Sequence, residues 1–491
     1  MNTTAEARHD PRGQWTLALA AILLVATVLR VREALLTPFW FDETFTLWTV
    51  RAGLPSMFRL LALDTHPPLH SLLVWGWRAI GGENELWLKS LSIIFGLGTI
   101  AALYGFTREL FGARTALLAA ALLALHRTAV YFSQEARSYG LLWLLLLLAA
   151  WTAWRWIERG QRRDAVLFVL SATAALYTHY LAGVVIGFLW MWGVIALHRD
   201  RARLLRWVGL HAVVAVLFTP QLPTLFLQMK RTQETWVPPA TLATLLNLAR
   251  QIALGATYLV VPWFAFALLP LFRWKEARAA SLLLTVSLVP ILTTFALTRL
   301  GVQTFFLERY LFLTLPAWCG LVAAGITGVR WRWSRWPLAL LFLALDARSF
   351  ALHHPMPEPV ELQKAAAFLT ARARPTDIVF CAEAHSLLFM QQHERGRARF
   401  VLLQTDPDLP YYEATSLIPA EWRVTPADFE RARQSGARWW GVHARHGGMP
   451  GTDAAYLMNQ YAAGLPHRFA MVTVWSGQPD SAAMADSTSR R

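Results

Sequence analysis

The sequence predicts an α-helical polytopic membrane protein that carries a soluble α/β domain at its carboxy-terminal end. Three observations support this fold class. The 491-residue chain is 55% hydrophobic and only 16% charged, and it contains 24 tryptophans. Apolar runs close to the roughly 20 residues that cross a bilayer core recur through residues 1–354. Beyond these residues, short strand-like and helix-like stretches alternate instead.

Eleven apolar runs are interpreted as membrane spans. The first, 15–29, lacks a small-residue cleavage site, so we expect a retained helix and not a signal peptide. An amphipathic stretch, 31–85, separates it from the second. The other ten spans are expected near 86–107, 115–132, 139–155, 165–178, 181–197, 207–224, 251–271, 279–298, 309–327 and 336–353. Residues 1–354 are therefore predicted to form one transmembrane domain.

The loops between the predicted spans differ in charge on alternate sides. Basic stretches such as "RWIERGQRRD" (155–164) and "HRDRARLLR" (198–206) fall on one side, which is typical of cytoplasmic loops. The net charge of +15 follows from this bias. A nucleic-acid binder would gather its basic residues on one soluble face, so nucleic acid is not expected as a partner. This arrangement puts the amino terminus in the cytoplasm and the carboxy terminus outside.

Residues 355–476 are predicted to form a small α/β domain. A helix-like stretch, 359–373, precedes strand-like runs at 377–382, 399–403, 439–444 and 470–475. Residues 477–491 have the composition of a disordered tail. The only two cysteines, Cys319 in an apolar run and Cys381 in a soluble one, provide no disulfide framework.

Polar side chains that could bind a substrate or take part in catalysis lie in the loops that are expected outside. The candidates are Asp42, Glu43, Asp64, His66, Glu135, Arg137, Tyr139, His179, Arg309 and Tyr310. A carboxylate can activate a hydroxyl acceptor while arginines and histidines hold a phosphate leaving group. Gathered on one face of the membrane, these residue types favour a site for group transfer.

Each candidate also has a structural interpretation. The acidic pair at 42–43 could be a solvated surface, and His66-Pro67-Pro68 could simply start a helix, because proline favours the first helical turn. Arg137 could pair with Glu135 or anchor to lipid headgroups, and Arg309-Tyr310 could be an interfacial anchor. His179, between tyrosines, could be a buried structural histidine.

Four strings in a fixed order resemble a known family. They are W-F-D-E (40–43), D-T-H-P-P-L (64–69), S-Q-E-A-R-S-Y (133–139) and a late R-Y-L…L-P (309–316). The pattern resembles the glycosyltransferase family 39 type of GT-C enzymes, kin of protein O-mannosyltransferases and lipid A aminoarabinose transferases, over most of residues 15–327. The resemblance implies a GT-C-like fold for the predicted eleven-span domain.

The resemblance also implies a role for each matching residue. Asp42 occupies the position of the catalytic base, and His66 stands where aminoarabinose transferases have a lysine that contacts the donor phosphate. Arg309 and Tyr310 match the late motif, for which a phosphate-side role is expected. The substrate-binding residues expected beside the base are Glu43, Asp64, His66, Glu135, Arg137, Tyr139, His179, Arg309 and Tyr310.

The function expected from this resemblance is transfer of a sugar, with inversion, from a polyprenyl-phosphate-linked donor to an acceptor hydroxyl. The acceptor is a glycan, lipid or protein at the outer face of a bacterial inner membrane, and the carboxy-terminal domain is expected to position it. The resemblance gives no certain cofactor. A divalent metal ion stays open, because acidic residues are present without a tight ligand motif. The alternatives are a transporter or flippase of lipid-linked saccharides, and a membrane-anchored scaffold.

The charge asymmetry of the loops predicts the topology. Reporter fusions after Arg163, Arg203 and Ser334 should report a cytoplasmic location, and fusions after Lys230 and Pro355 an outer one. A cytoplasmic carboxy terminus would contradict the assignment, because the candidate residues would then lie in different compartments.

Overall fold

The computed structural model describes residues 11–231, 239–301, 306–352, 357–393, 398–405, 417–444 and 453–478. The chain divides into two compact units, of which the first comprises 1–34, 66–82 and 86–353. The second comprises 35–65, 83–85 and 354–491, so it groups the predicted first outer loop with the carboxy-terminal residues. Most of the predicted tail, from residue 479 onward, lies outside the described residues.

Eighteen α-helices precede residue 352 in the described ranges. They are α1 (Pro11–Leu36), α2 (Phe41–Arg51), α3 (Leu54–Leu63), α4 (Leu69–Gly81), α5 (Glu85–Phe111), α6 (Ala113–Leu125), α7 (Arg127–Gln134), α8 (Tyr139–Arg159), α9 (Arg162–Leu176), α10 (Ala182–Leu197), α11 (Arg201–Phe218), α12 (Leu222–Arg231), α13 (Leu242–Ile252), α14 (Thr257–Leu268), α15 (Trp274–Arg299), α16 (Glu308–Leu311), α17 (Leu315–Thr327) and α18 (Arg335–Ala351). Short 3₁₀ segments at Thr219–Gln221, Leu269–Phe272 and Phe312–Thr314 extend three of them.

Every predicted apolar run coincides with helical structure, so the α-helical membrane fold is confirmed. By length and composition, five described helical segments could each cross a bilayer, or seven if each bent pair counts as one span. The five segments are Glu85–Phe111, Tyr139–Arg159, Arg201–Lys230, Trp274–Arg299 and Glu308–Thr327. The count of eleven spans therefore stays a prediction.

Two pairs of helices are bent at short breaks: one within the predicted span 115–132, the other at the start of the predicted span 251–271. Helices α6 and α7 meet at 65°, and α13 and α14 meet at 72°. His126, at the first break, donates from Nε2 to the Ile252 carbonyl at the second, at 3.2 Å. Its Nδ1 accepts from the Thr128 backbone N–H, also at 3.2 Å. One imidazole thus forms hydrogen bonds with backbone groups at both breaks. Such groups are costly to bury in a membrane unless they have hydrogen-bond partners.

Helix α17 belongs to the helical segment Glu308–Thr327, which is the most deeply buried of the five segments long and apolar enough to cross a bilayer. At Gly325 a Cβ atom would overlap the backbone carbonyl of Phe266 on α14. Only glycine permits the two helices to approach so closely. Small residues on α17 therefore set the tight packing of the bundle around it.

The carboxy-terminal residues form a six-stranded sheet with helices on both faces. The strands are β1 (Ile378–Cys381), β2 (Arg399–Leu403), β3 (Arg423–Val424), β4 (Trp439–Ala444), β5 (His467–Arg468) and β6 (Val472–Ser476), and the helices are α19 (Pro357–Arg372), α20 (Ala384–His393), α21 (Pro426–Gln434) and α22 (Asp453–Gln460). The strand order is β3-β2-β1-β4-β6-β5. Strands β1 to β4 pair in parallel, and β6 is antiparallel to β4 and β5.

Side chains that alternate in direction along the strands form two apolar cores, one on each face of the sheet. Val379 packs in one apolar cluster with Leu387 of α20, and its neighbour Phe380 packs in another with Phe429 of α21. Successive residues of a strand face opposite sides of a sheet, so each face acquires its own helices. The predicted α/β domain and its four strands are confirmed. The two-residue strands β3 and β5 are too short to give a periodic signal.

Candidate functional site

Five predicted site residues come together in the first unit. Arg137 and His66 are in hydrogen-bonding contact, with Nη2 and Nε2 3.1 Å apart. The ring centroids of His66 and His179 are 6.2 Å apart, and those of His179 and Tyr310 are 5.1 Å apart. The Arg309 guanidinium lies 5.5 Å from the Tyr310 ring centroid. We call these five residues the cationic cluster.

Three loops carry His66, Arg137 and His179, and the short helix α16 carries Arg309 and Tyr310. His66 precedes α4, which begins at Leu69 after Pro67-Pro68. The Leu69 N–H donates to the Tyr177 carbonyl at 3.0 Å, and this bond ties the start of α4 to the α9–α10 loop that carries His179. The prolines therefore do start a helix, and starting it here places His66 beside His179.

The segment that carries Arg137 is held by α5. Ser92 Oγ on α5 donates to the Arg137 carbonyl at 3.3 Å. Within the segment, the Arg137 N–H donates to the Glu135 carbonyl at 2.7 Å. Glu135 and Tyr139 are buried, and the Tyr139 ring lies 4.9 Å from that of Phe132. These bonds fix the backbone from which the Arg137 guanidinium reaches His66.

The hydrogen bond between Arg137 and His66 has a defined direction. A guanidinium can only donate, so the imidazole Nε2 is the acceptor. In this arrangement His66 orients Arg137, whereas the resemblance to aminoarabinose transferases implied a direct contact with phosphate. The two roles make different predictions for substitutions at position 66.

Two buried histidines, His179 in the cluster and His70 beside it, carry no charge. Burial lowers the pKa of His179 to about 3, and neighbouring cationic groups, Arg137 and Arg309 among them, lower it further in the same direction. Burial likewise lowers the pKa of His70 to about 3, with Arg137 and His66 adding to the effect. Both imidazoles are therefore neutral near pH 7, so the positive charge of the cluster comes from its arginines.

Three of the four predicted acidic residues, Asp42, Glu43 and Asp64, belong to the second unit. Asp42 lies in the first turn of α2 and is partly exposed. Glu43 is buried, and its Oε2 accepts from the Trp40 N–H at 3.2 Å, which caps the start of this helix. Asp64 ends α3, where its N–H donates to the carbonyls of Leu60 and Leu61. Glu43 thus has a structural role that the sequence did not reveal.

Lys89 and His70 were missed in the sequence. Lys89 is fully buried on α5, one turn before Ser92, and His70 is buried on α4 beside the cluster. An ionisable residue inside an apolar run is the signal that could have identified Lys89.

Among the described residues, no group of three or more His, Cys, Asp or Glu side chains is arranged to hold a metal ion, and the question of a metal stays open.

Comparisons with known proteins agree with this architecture. The family model described as dolichyl-phosphate-mannose-protein mannosyltransferase matches residues 65–227. The structure of ArnT from Cupriavidus metallidurans in the apo state is similar, with a TM-score of 0.64 and 13% identity over 95% of this chain and 98% of that one. The same protein bound to undecaprenyl phosphate gives a TM-score of 0.65 with the same identity and coverage. No curated protein sequence matches the chain.

These comparisons agree with the resemblance stated from the motifs: residues 65–227 match the family model, and the chain has a fold similar to that of the ArnT structures. The matched region begins at Thr65, so it includes His66, Arg137 and His179 but neither Asp42 nor Arg309. At 13% identity, the structural likeness shows the fold alone. The roles of the individual residues therefore stay proposals.

The neutral histidines predict how stability depends on pH. Because the folded pKa of His179 and His70 lies below the unfolded value, the unfolded state takes up protons first. Their contribution to stability is present above pH 6.5 and is lost as pH falls toward 3. At pH 5 each of the two histidines should lower the free energy of unfolding by about 2 kcal/mol relative to its value above pH 6.5. The melting temperature in detergent should fall less between pH 7.5 and 5 for His179→Gln than for the unsubstituted protein.

The matched control is His198→Gln, which changes an exposed histidine. If His179→Gln keeps the full pH dependence of the parent protein, His179 is not the neutral buried group described above.

Proposed function

We propose that this protein transfers a sugar from a polyprenyl-phosphate donor to an acceptor hydroxyl at the outer face of a bacterial inner membrane. The observation that carries the proposal is the meeting of Arg137 and Arg309 in one cluster, with imidazole and phenol groups between them. Guanidinium groups bind phosphate with two parallel hydrogen bonds, which suits a phosphate leaving group.

The cluster fits the phosphate half of the reaction. As the bond between the anomeric carbon and the phosphate oxygen breaks, negative charge grows on the leaving phosphate. Groups that are already oriented stabilise this charge without reorganisation. Arg137 is oriented by Ser92 through its backbone and by His66 through its side chain. An anionic leaving group on a lipid tail also explains why such a site belongs to a membrane protein.

The acceptor half of the reaction needs a base, and Asp42 is our candidate. Its carboxylate takes the proton of the acceptor hydroxyl while the oxygen forms a bond to the anomeric carbon. The phosphate then leaves with the bonding electron pair, so one displacement inverts the configuration. Asp42 matches the family's base position in sequence, and Phe41 beside it favours partial desolvation, which raises the basicity of a carboxylate.

The donor and the topology follow from the same proposal. The structural neighbour ArnT has been observed with undecaprenyl phosphate, which supports a polyprenyl-phosphate lipid here. The transferred sugar is a hexose or pentose, the acceptor a glycan, lipid or protein, and the chain crosses the membrane with its amino terminus in the cytoplasm.

A transporter of lipid-linked saccharides is the second candidate. The two bent helix pairs favour it, because broken helices often line transport sites. Reconstituted protein distinguishes the two functions. Transfer produces a new glycosidic bond and free polyprenyl phosphate, whereas transport only moves intact donor between leaflets.

The cationic cluster predicts a graded loss of donor binding. Arg137→Ala and Arg309→Ala should each weaken binding of undecaprenyl phosphate about ten- to a hundredfold, since a charge-assisted hydrogen bond contributes about 1.5–3 kcal/mol. If His66 orients Arg137 as an acceptor, His66→Gln should bind better than His66→Ala. If His66 instead contacts phosphate through its charge, His66→Lys should bind undecaprenyl phosphate more tightly than His66→Gln does.

Binding can be measured by native mass spectrometry of detergent-solubilised protein. Arg108→Ala, on the exposed side of α5, is the matched control and should bind as the parent does. Unchanged binding in both Arg137→Ala and Arg309→Ala would contradict a phosphate role for the cluster.

Asp42→Asn should remove most turnover and keep the donor. The amide preserves shape but accepts no proton, and general base catalysis contributes about 10²–10⁴-fold. Glu43→Gln should be milder, because an amide oxygen can still accept from the Trp40 N–H. The measurement is transfer of radiolabelled sugar from a defined lipid donor, normalised to the fraction of protein that binds lipid.

Transfer by Asp42→Asn near the parent rate would show that the base is elsewhere, and Asp64 and Glu135 would be examined next. Absence of any transfer by the parent across a panel of hexosyl and pentosyl donors would contradict the proposed reaction itself.

A further inference from the structure

Helix α2, which carries Asp42, packs along helix α20 of the sheet domain within the second unit. The Trp48 indole N–H donates to the Leu388 carbonyl at 3.2 Å. The Phe41 and His385 rings meet edge to face, with centroids 5.6 Å apart. Arg51, at the end of α2, donates to the side chain of Gln392. The contacts therefore run along the whole length of both helices.

The contacts keep a constant order along both helices. Residues 41, 48 and 51 of α2 meet residues 385, 388 and 392 of α20 in sequence, so the two helices run in the same direction. On α20 the spacing of three and four residues defines a single face. Asp42 follows Phe41 by about 100° of rotation, so it lies beside this contact face and not within it.

An apolar seam closes the contact. Leu388 of α20 is fully buried against Phe45, with Phe41, Trp48 and Trp422 packed around them. The Trp48 and Trp422 rings meet edge to face at 5.5 Å. Large aromatic side chains have few rotamers in such a seam, so they fix the rotation of α2 about its own axis.

Helix α20 is itself anchored to the sheet. At its amino-terminal end, Glu383 accepts from Ser386 Oγ at 2.9 Å and from the Ala444 N–H at 3.1 Å. The same carboxylate contacts the His443 imidazole of β4. On its opposite side, Leu387 and Met390 pack in the core of the sheet domain. The sheet therefore holds α20, and α20 in turn holds α2.

We infer that α20 of the carboxy-terminal domain is the element that positions Asp42, and that Trp48 is a positioning residue acting through that carboxylate. The chemical part of this inference rests on the proposed function, since it takes Asp42 as the base. The mechanical part, that α20 fixes α2, stands on the contacts alone. The domain thereby acquires a role in acceptor activation, beyond the expected one of acceptor positioning.

The test uses full-length Trp48→Ala and Trp48→Phe. Hydrogen–deuterium exchange should show faster exchange of amides 41–51 in Trp48→Ala, with unchanged exchange in 69–81, which belongs to the other unit. Transfer should fall by about tenfold or more, because displacement of a reacting group by about 1 Å can cost 10²-fold. Trp48→Phe keeps the aromatic ring and loses only the N–H, so it should lose less in both measurements.

A double-mutant cycle with Asp42 separates positioning from general damage. If Trp48 acts through Asp42, adding Trp48→Ala to Asp42→Asn should cause little further loss, because residues that act as a unit are not additive. Binding of undecaprenyl phosphate should stay within about twofold of the parent in both single variants, well below the tenfold that one phosphate contact contributes. Tyr456→Ala, on an exposed position of α22, is the control and should resemble the parent.

Unchanged exchange in 41–51 would overturn the inference, and so would fully multiplicative losses in the double variant. A different result identifies failure of the proposed function: if Asp42→Asn alone transfers at the parent rate, Asp42 is not the base. The exchange data would then still decide whether α20 holds α2.

Discussion

The candidate site depends on one buried arginine of the first helix. Arg30 donates from Nε to Ser133 Oγ at 2.7 Å and from Nη1 to the carbonyls of Ala124 and Ala26. A guanidinium buried in an apolar bundle costs several kcal/mol unless its donors are satisfied. Its bonds therefore fix the distance between α1, the end of α6 and the end of α7. Ser133 is the first residue of the segment that leads to Arg137. Its bond to Arg30, more than 100 residues away along the chain, therefore helps to position the segment that carries Arg137.

Small residues complete this arrangement, both within the motif at 133–139 and directly beside it. Ser133 packs against Gly96 of α5 so closely that a Cβ there would overlap it. Gly140, directly after the motif, lies close to the Ser92 carbonyl, which a Cβ at this position would approach to 3.0 Å. The motif is thus held against α5 at both ends, and Ser92 bonds the Arg137 carbonyl between them. A charged residue on a connection held so tightly is pre-organised, as the stabilisation of a leaving group requires.

Local patterns in the sequence predicted the helices, the four longer strands and the residues of the cationic cluster, because hydropathy period and motif order are local properties. Contacts between distant segments could not be predicted. The bond between Trp48 and Leu388 spans 340 residues, and nothing in either helix alone indicates the other. Glu43 stays a predicted substrate-binding residue, and its capping bond to Trp40 could not be predicted because it depends on where α2 begins. The break between α6 and α7 could not be predicted because the residues on both sides of it form one apolar run.

Those breaks bear on the choice between a transferase and a transporter. A break that moves during transport must exchange its hydrogen-bond partners, so its backbone groups are expected to have alternatives. Here His126 bridges both breaks with one fixed tautomer, donating to Ile252 and accepting from Thr128. Ser349 Oγ adds a bond to the Leu254 carbonyl at 2.5 Å, where the backbone has the unusual φ of 59°. Strain of this kind persists only where surrounding contacts hold it. The breaks are therefore built as a rigid frame, which suits a site that binds a phosphate in place better than one that alternates between two sides of a membrane.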